Sequence, residues 1–199
     1  MKLYFCHQFC PHDLNISYLP PTDLQTSYES FNISDRMVGR PVCRDTQLSL
    51  LSLYLGLHSQ DCRLPECLLV QGVQGTGKTL TLKYFLSEHK ETIASAFVDC
   101  IEAYQPKLLY QCILEQLGVR GVKSDNVSDF TRLLGDTVGE GKAVIVLENA
   151  ERLRDDVSLF SVLTRLQEVT KCNIACILET RLDWSKLRPS EDVLTPSND

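Results

Sequence analysis

An α/β fold built on a parallel sheet flanked by helices is what this sequence predicts, and three observations carry the prediction. Four short apolar runs recur along the chain: Cys67-Leu68-Leu69-Val70, Ala96-Phe97-Val98, Val144-Ile145-Val146-Leu147 and Ile174-Ala175-Cys176-Ile177-Leu178. Helical patterns separate them, and near-continuous apolar strands that alternate with helices belong to a sheet covered on both faces. A glycine-rich loop follows the first run directly and opens the next helix, the strand–loop–helix order of a phosphate-binding unit.

Residues 1–36 hold scattered aromatics, Pro20-Pro21 and many Ser, Thr and Asn with no period, and read as a poorly ordered extension. Residues 37–189 read as a nucleotide-binding domain. It opens with a helix within residues 41–57, where Leu48, Leu51 and Leu55 stand beside Leu50, Leu53 and Leu57. Further helices are expected over about 78–88, 107–117, 128–138 and 157–169, each placed between two of the apolar runs. Residues 190–199 are polar and read as a disordered tail.

With 199 residues, 43% hydrophobic and 23% charged, the chain has room for one full-size domain and its core. No stretch approaches 18 consecutive apolar residues, which argues against a membrane-spanning helix. The first residues lack a sustained apolar segment, so no signal peptide is expected. Net charge is −6, and since sequence-independent DNA affinity comes from Lys and Arg on phosphate, such a chain should bind DNA poorly by itself. The nine cysteines are odd in number and irregularly spaced, which favours a reducing compartment over a disulfide framework. Cys6 and Cys10, with His7 and His12, form the one cluster at metal-ligand spacing, and no second ligand pair closes it.

The chemistry lies in Gly72-Val73-Gln74-Gly75-Thr76-Gly77-Lys78-Thr79, which matches G-x-x-x-x-G-K-[ST]. Glycines let the backbone curl so that successive N–H groups face phosphate oxygens with no Cβ in the way. Lys78 would place a point charge on the β/γ-phosphates of ATP, the Thr79 hydroxyl would coordinate Mg²⁺, and the helix that starts here adds its positive end. A chance match in a chain of this length is of the order of one in a hundred at ordinary glycine usage.

A carboxylate should close a neighbouring strand and hold Mg²⁺. Val144-Ile145-Val146-Leu147-Glu148-Asn149 offers Glu148 for that role. The usual ending is Asp then Glu, the second residue orienting the attacking water, whereas here the second position is Asn149. An amide accepts no proton, so no catalytic residue is assigned and hydrolysis is not expected; a hydrolysing ATPase is the alternative.

Val38-Gly39-Arg40 before a helix, then Gly72 to Thr79, then Val144 to Asn149, resembles the AAA+ initiator family, which includes the subunits of the origin recognition complex. The runs Ala150-Glu151-Arg152-Leu153-Arg154-Asp155 and Asp183-Trp184-Ser185-Lys186-Leu187-Arg188-Pro189 extend the resemblance, as does Phe97-Val98-Asp99-Cys100 before the Leu108-Leu109-Tyr110 helix. It covers about residues 38–189. The resemblance implies an ATP-binding subunit of a nuclear complex that initiates DNA replication, with the other subunits as partners, DNA met only through the assembly, and no membrane. By it, Val38, Gly39 and Arg40 should approach the adenine, Thr180 or Glu179 should stand at the first sensor, and Arg188, or failing it Arg181, should reach a neighbour's nucleotide. Thr180 could hydrogen-bond the γ-phosphate, whereas Glu179 would repel it. The family also carries a fifth strand, a helical lid and a C-terminal winged-helix-like region, none visible here. With the family's strand order 5-1-4-3-2 and no strand 5, residues 67–70 should form an open hydrophobic edge.

Overall fold

The computed structural model describes residues 1–5, 39–56, 63–119, 121, 124, 126–153 and 156–187. Five strands, β1 (Lys2–Phe5), β2 (Cys67–Gln71), β3 (Ala94–Asp99), β4 (Lys142–Glu148) and β5 (Asn173–Thr180), form one sheet in the order β1-β2-β5-β4-β3. The last four in that order run parallel, as the alternation of apolar runs and helices predicts. The helices are α1 (Asp45–Tyr54), α2 (Lys78–Glu88), α3 (Pro106–Gln116), α4 (Val127–Val138), α5 (Val157–Thr164), α6 (Leu166–Thr170) and α7 (Trp184–Leu187), with a 3₁₀ turn at Ala150–Leu153.

The first correction concerns the edge. β2 was expected to lie open, and residues 1–36 to lack structure; instead Lys2–Phe5 pairs with β2 antiparallel, Lys2 opposite Gln71 and Phe5 opposite Leu68. An apolar strand with unpaired N–H and C=O groups gains from any extended partner. That pairing joins segments far apart in the chain, so no local pattern announces it. The remainder of the expected extension, and the tail after residue 187, lie outside the described residues.

Strand alternation gives the sheet two buried faces. On one, Leu69, Val98, Ile145, Leu147, Cys176 and Leu178 pack against α3 to α6. Phe130 of α4 is the largest fully buried side chain there, and its ring stacks on Tyr110 with centroids 4.3 Å apart. On the other face, Leu68, Val70, Val144, Val146, Ala175 and Ile177 meet Leu51 of α1 and Leu82, Phe85 and Leu86 of α2. Cysteines 67, 100 and 176 are buried in the core, as small hydrophobes would be.

The second correction is to the helix expected over 157–169. Arg165, at φ −119° and ψ 26°, breaks it into α5 and α6. The break turns α6 so that Gln167, 1% exposed, enters the core and its amide donates to the Leu64 carbonyl at 2.6 Å. Its oxygen accepts from Arg63 Nε at 2.7 Å, so the segment leading into β2 is clamped by a residue three strands later in the chain. α4 begins at the Asn126 cap, whose side chain accepts from the Asp129 N–H at 2.8 Å.

Removing residues 2–5 strips β2 of its antiparallel partner. The shortened chain should associate in a concentration-dependent way, seen by sedimentation velocity as a shift to larger species that the intact chain does not show at equal concentration.

Candidate nucleotide-binding site

β2 ends at Gln71 and α2 begins at Lys78, so the loop between them hangs at the C-terminal edge of the sheet. The Gly72 N–H donates to the Thr180 carbonyl at 3.2 Å, which ties the start of the loop to the end of β5. Gly75 and Gly77 adopt φ +79° and +73°, a left-handed conformation that costs other residues about 1–2 kcal/mol. No protein atom lies within 4 Å of a Cβ built on either, so their demand within the chain is conformational. Gly72 differs: a Cβ there would sit 3.2 Å from Thr76 Oγ1 and 3.4 Å from Lys78 Cδ. Thr76 Oγ1 donates to the Val73 carbonyl at 2.8 Å, and Arg44 Nη2 donates to the Thr76 carbonyl at 2.7 Å.

Lys78 is 7% exposed, and its ammonium donates to the carbonyls of Gly72 at 3.0 Å and Val73 at 3.3 Å. Thr79 follows on α2 and meets two carboxylates: its Oγ1 lies 3.0 Å from Glu148 Oε1, at the end of β4, and 2.8 Å from Glu179 Oε1, near the end of β5. Glu179 Oε1 is also 3.8 Å from Lys78 Nζ, while Glu179 Oε2 is buried without a hydrogen-bond partner. Burial pushes the Glu179 carboxyl above its usual range; the Thr79 hydrogen bond opposes this, and the nearby Glu148 adds to it.

Asn149 has φ +55°, and its Nδ2 donates to Asp99 Oδ1, at the end of β3, at 2.9 Å. Asp99 stands opposite Glu148 in the strand register. Thr180 lies one residue beyond Glu179 and so on the other face of the sheet. Its hydroxyl donates to Glu151 Oε2 at 2.7 Å, and Arg181 Nε donates to Glu151 Oε1 at 2.9 Å. Thus the residue of the expected first sensor that faces the glycine-rich loop is Glu179. Arg40 and Gly39 are exposed, Arg40 pairing with Asp45, and the segment reaches the loop through Arg44. Val38, Arg188 and the Cys6, His7, Cys10, His12 cluster lie outside the described residues. Among the described residues no three His, Cys, Asp or Glu side chains gather to hold a metal ion.

With this geometry in place, comparison with known proteins decides the family. Residues 62–182 match the AAA domain family. The chain belongs to that family. It is similar to origin recognition complex subunit 5 of Drosophila melanogaster, 32% identical over 154 residues that cover 72% of this chain and 33% of that protein. The human subunit 5 is 27% identical over 170 residues, 78% of this chain and 38% of that protein. The chain therefore spans about a third of the length of these curated relatives. Among solved structures, one chain of the Drosophila origin recognition complex bound to DNA superposes with a TM-score of 0.67 at 31% identity, over 75% of this chain and 41% of that one. The Aeropyrum pernix ORC1 protein in complex with DNA gives 0.63 at 20% identity, over 78% and 43%, which shows the shared fold.

Within this AAA domain, sequence reasoning missed three groups that touch the site. Arg44 holds the loop from outside, and no motif marks it. Asp99 holds Asn149, and Glu151 takes the Thr180 hydroxyl. For Asp99 a signal existed: like Glu148 and Glu179, it lies two residues beyond a side chain (Phe97, Val146 and Ile177 respectively) that packs on the α2 face. Strand parity alone would have placed all three carboxylates on that face of the sheet.

Burial would raise the Glu151 carboxyl, but hydrogen bonds from Thr180, from its own backbone and from Arg181 bring it below its ordinary value. A carboxylate lowered in the folded state adds stability above its unfolded pKa and loses it as pH falls through the folded value. Glu151→Gln should therefore lower stability at pH 7, and the gap from the wild type should shrink below pH 4.5, as urea unfolding at a series of pH values would show.

Proposed function

We propose that this chain is the nucleotide-binding part of an origin recognition complex subunit, and that it holds ATP as a structural ligand of the assembly in replication initiation without turning it over. The observation that carries the reading is Asn149. Where a hydrolysing site places a base, this chain has an amide whose Nδ2 is spent on Asp99. Loss of a general base costs about 10²–10⁴ in rate, enough for ATP to persist. The loop from Gly72 to Thr79, including Val73, Gln74, Gly75, Thr76 and Gly77, would cradle the phosphates with its N–H groups, and Lys78 would turn its ammonium to them. The site suits Mg²⁺, because two carboxylate oxygens converge on the Thr79 hydroxyl and a further carboxylate oxygen has no partner. Thr79 and Glu148 would hold the ion, which would offset phosphate charge. The net charge of −6 supports contact with DNA through the other subunits. No described helix is long and apolar enough to cross a membrane. A nuclear location accords with this role. Thr180 is committed to Glu151, so a sensor role for it requires that bond to break. Arg188 remains the candidate to reach a neighbouring subunit's nucleotide, and Arg181 would have to leave Glu151 to do so.

One observation favours the hydrolysing alternative. Asp99 Oδ1 accepts from the Asn149 amide at 2.9 Å, so a carboxylate stands one side chain away from the position of the missing base. Asp99→Asn separates the two readings. If this site hydrolyses ATP through Asp99, turnover of the purified complex falls by about 10²-fold or more; if ATP is structural, turnover is unchanged.

Lys78→Ala should weaken ATP binding to the chain by about 1.5–3 kcal/mol, the worth of a charged hydrogen bond, as measured by calorimetry. Nucleotide extracted from the purified complex at this site should be mainly ATP by chromatography. Mainly ADP, with turnover abolished by Glu148→Gln, would replace the structural reading with a working ATPase.

A further inference from the structure

A phosphate cradle does not account for Glu179. Anion-binding loops work by gathering N–H groups and a lysine around negative charge, yet here a carboxylate is buried among them. Glu179 is 4% exposed, its Oε1 meets the Thr79 hydroxyl at 2.8 Å, and its Oε2 finds no donor. Glu148 approaches the same hydroxyl from the adjacent strand at 3.0 Å. A hydroxyl has one proton and can donate to one of these oxygens, so the other faces its lone pairs. Lys78, at 3.8 Å from Glu179, brings one positive charge against two carboxylates. An unpaired carboxylate oxygen in such a place is expensive unless a proton or a further cation meets it.

We propose that Glu179, with Glu148 and the Thr79 hydroxyl, forms a divalent-cation site that takes Mg²⁺ or Mn²⁺ before nucleotide arrives. All three donors are hard oxygens, the set these ions select, and Mg²⁺ commonly combines one or two carboxylates with waters and phosphate oxygens. The site rests on the nucleotide reading of the loop in one respect: the phosphates of a bound nucleotide would replace some of those waters. Two consequences follow. The chain binds the cation on its own, because two carboxylates and a hydroxyl are already gathered. Nucleotide binding depends on the cation more strongly than it would with one carboxylate, because without the ion Glu179 repels the phosphates.

The test uses the full 199-residue chain, freed of nucleotide, with Mn²⁺ as probe and free Mn²⁺ read by electron paramagnetic resonance. The wild type should bind one Mn²⁺. Glu179→Gln, shown folded by circular dichroism, should lose affinity about tenfold or more, at least what the loss of a supporting ligand contact costs. Glu148→Gln should lose a comparable amount. In a second measurement, ATP affinity is compared in Mg²⁺ and in EDTA. The ratio should be large for the wild type and clearly smaller for Glu179→Gln, a difference that a residue serving only packing would not produce. No Mn²⁺ binding by the nucleotide-free wild type overturns the proposal whatever the variants do, as does equal Mn²⁺ affinity in wild type and Glu179→Gln. Because Mn²⁺ is measured without nucleotide, a chain that binds ATP but no Mn²⁺ refutes the cation site alone. A chain that binds Mn²⁺ but no ATP refutes the nucleotide reading instead.

Discussion

The parallel pairing of β2 with β5 is the constraint on which the rest of this molecule depends. It sets Val70 opposite Glu179 and Gln71 opposite Thr180, and the bond from Gly72 N–H to the Thr180 carbonyl at 3.2 Å continues the pairing into the loop. Shift that register by one residue and Thr180, not Glu179, would face α2, since alternation moves every side chain to the other side of the sheet. The register is held by burial on both faces: Leu68 and Val70 look one way, and Cys67 and Leu69 the other. The glycine-rich loop thus inherits its position from apolar packing, which is non-directional but strong in sum.

Around that loop the polar groups are arranged in two layers. On the α2 face, Lys78, Thr79, Glu148 and Glu179 form a compact charged group inside a water-poor edge of the domain. On the opposite face, Thr180, Glu151 and Arg181 are satisfied among themselves. The contrast is physical: Glu151 has three donors and sits comfortably as a carboxylate, whereas Glu179 has a single hydroxyl and a lysine at 3.8 Å, and one of its oxygens has none. Buried charge is tolerated where it is paired. The two glutamates are linked through Thr180, the chain neighbour of Glu179 and the donor to Glu151, yet only Glu151 has its charge fully met.

β1 shows the same economy at the edge of the sheet. Its backbone pairs with β2 over Lys2–Phe5, and Met1 reaches the loop, its Cα 3.3 Å from where a Gly72 Cβ would stand. A short antiparallel strand therefore closes the apolar edge and borders the candidate site at once. Arg44 does similar work from the other direction, joining the start of α1 to the Thr76 carbonyl.

The sequence by itself determined the class of the fold and the place of the glycine-rich loop in it. Glycine spacing, the Lys78-Thr79 pair and the apolar runs are local properties; the position of β2, the start of α2 at Lys78 and the presence of Glu148 at the end of β4 could be read from them because a turn or a strand end is decided by neighbours in the chain. Only the tertiary structure decided that Lys2–Phe5 covers β2, that residue 165 breaks the helix before β5, and that Asn149 gives its amide to Asp99. It also decided that Glu179, and not Thr180, looks into the loop. Each of these depends on two segments distant in the chain meeting in the fold, and the free energy that brings them together belongs to burial and pairing between distant residues, which no local pattern encodes.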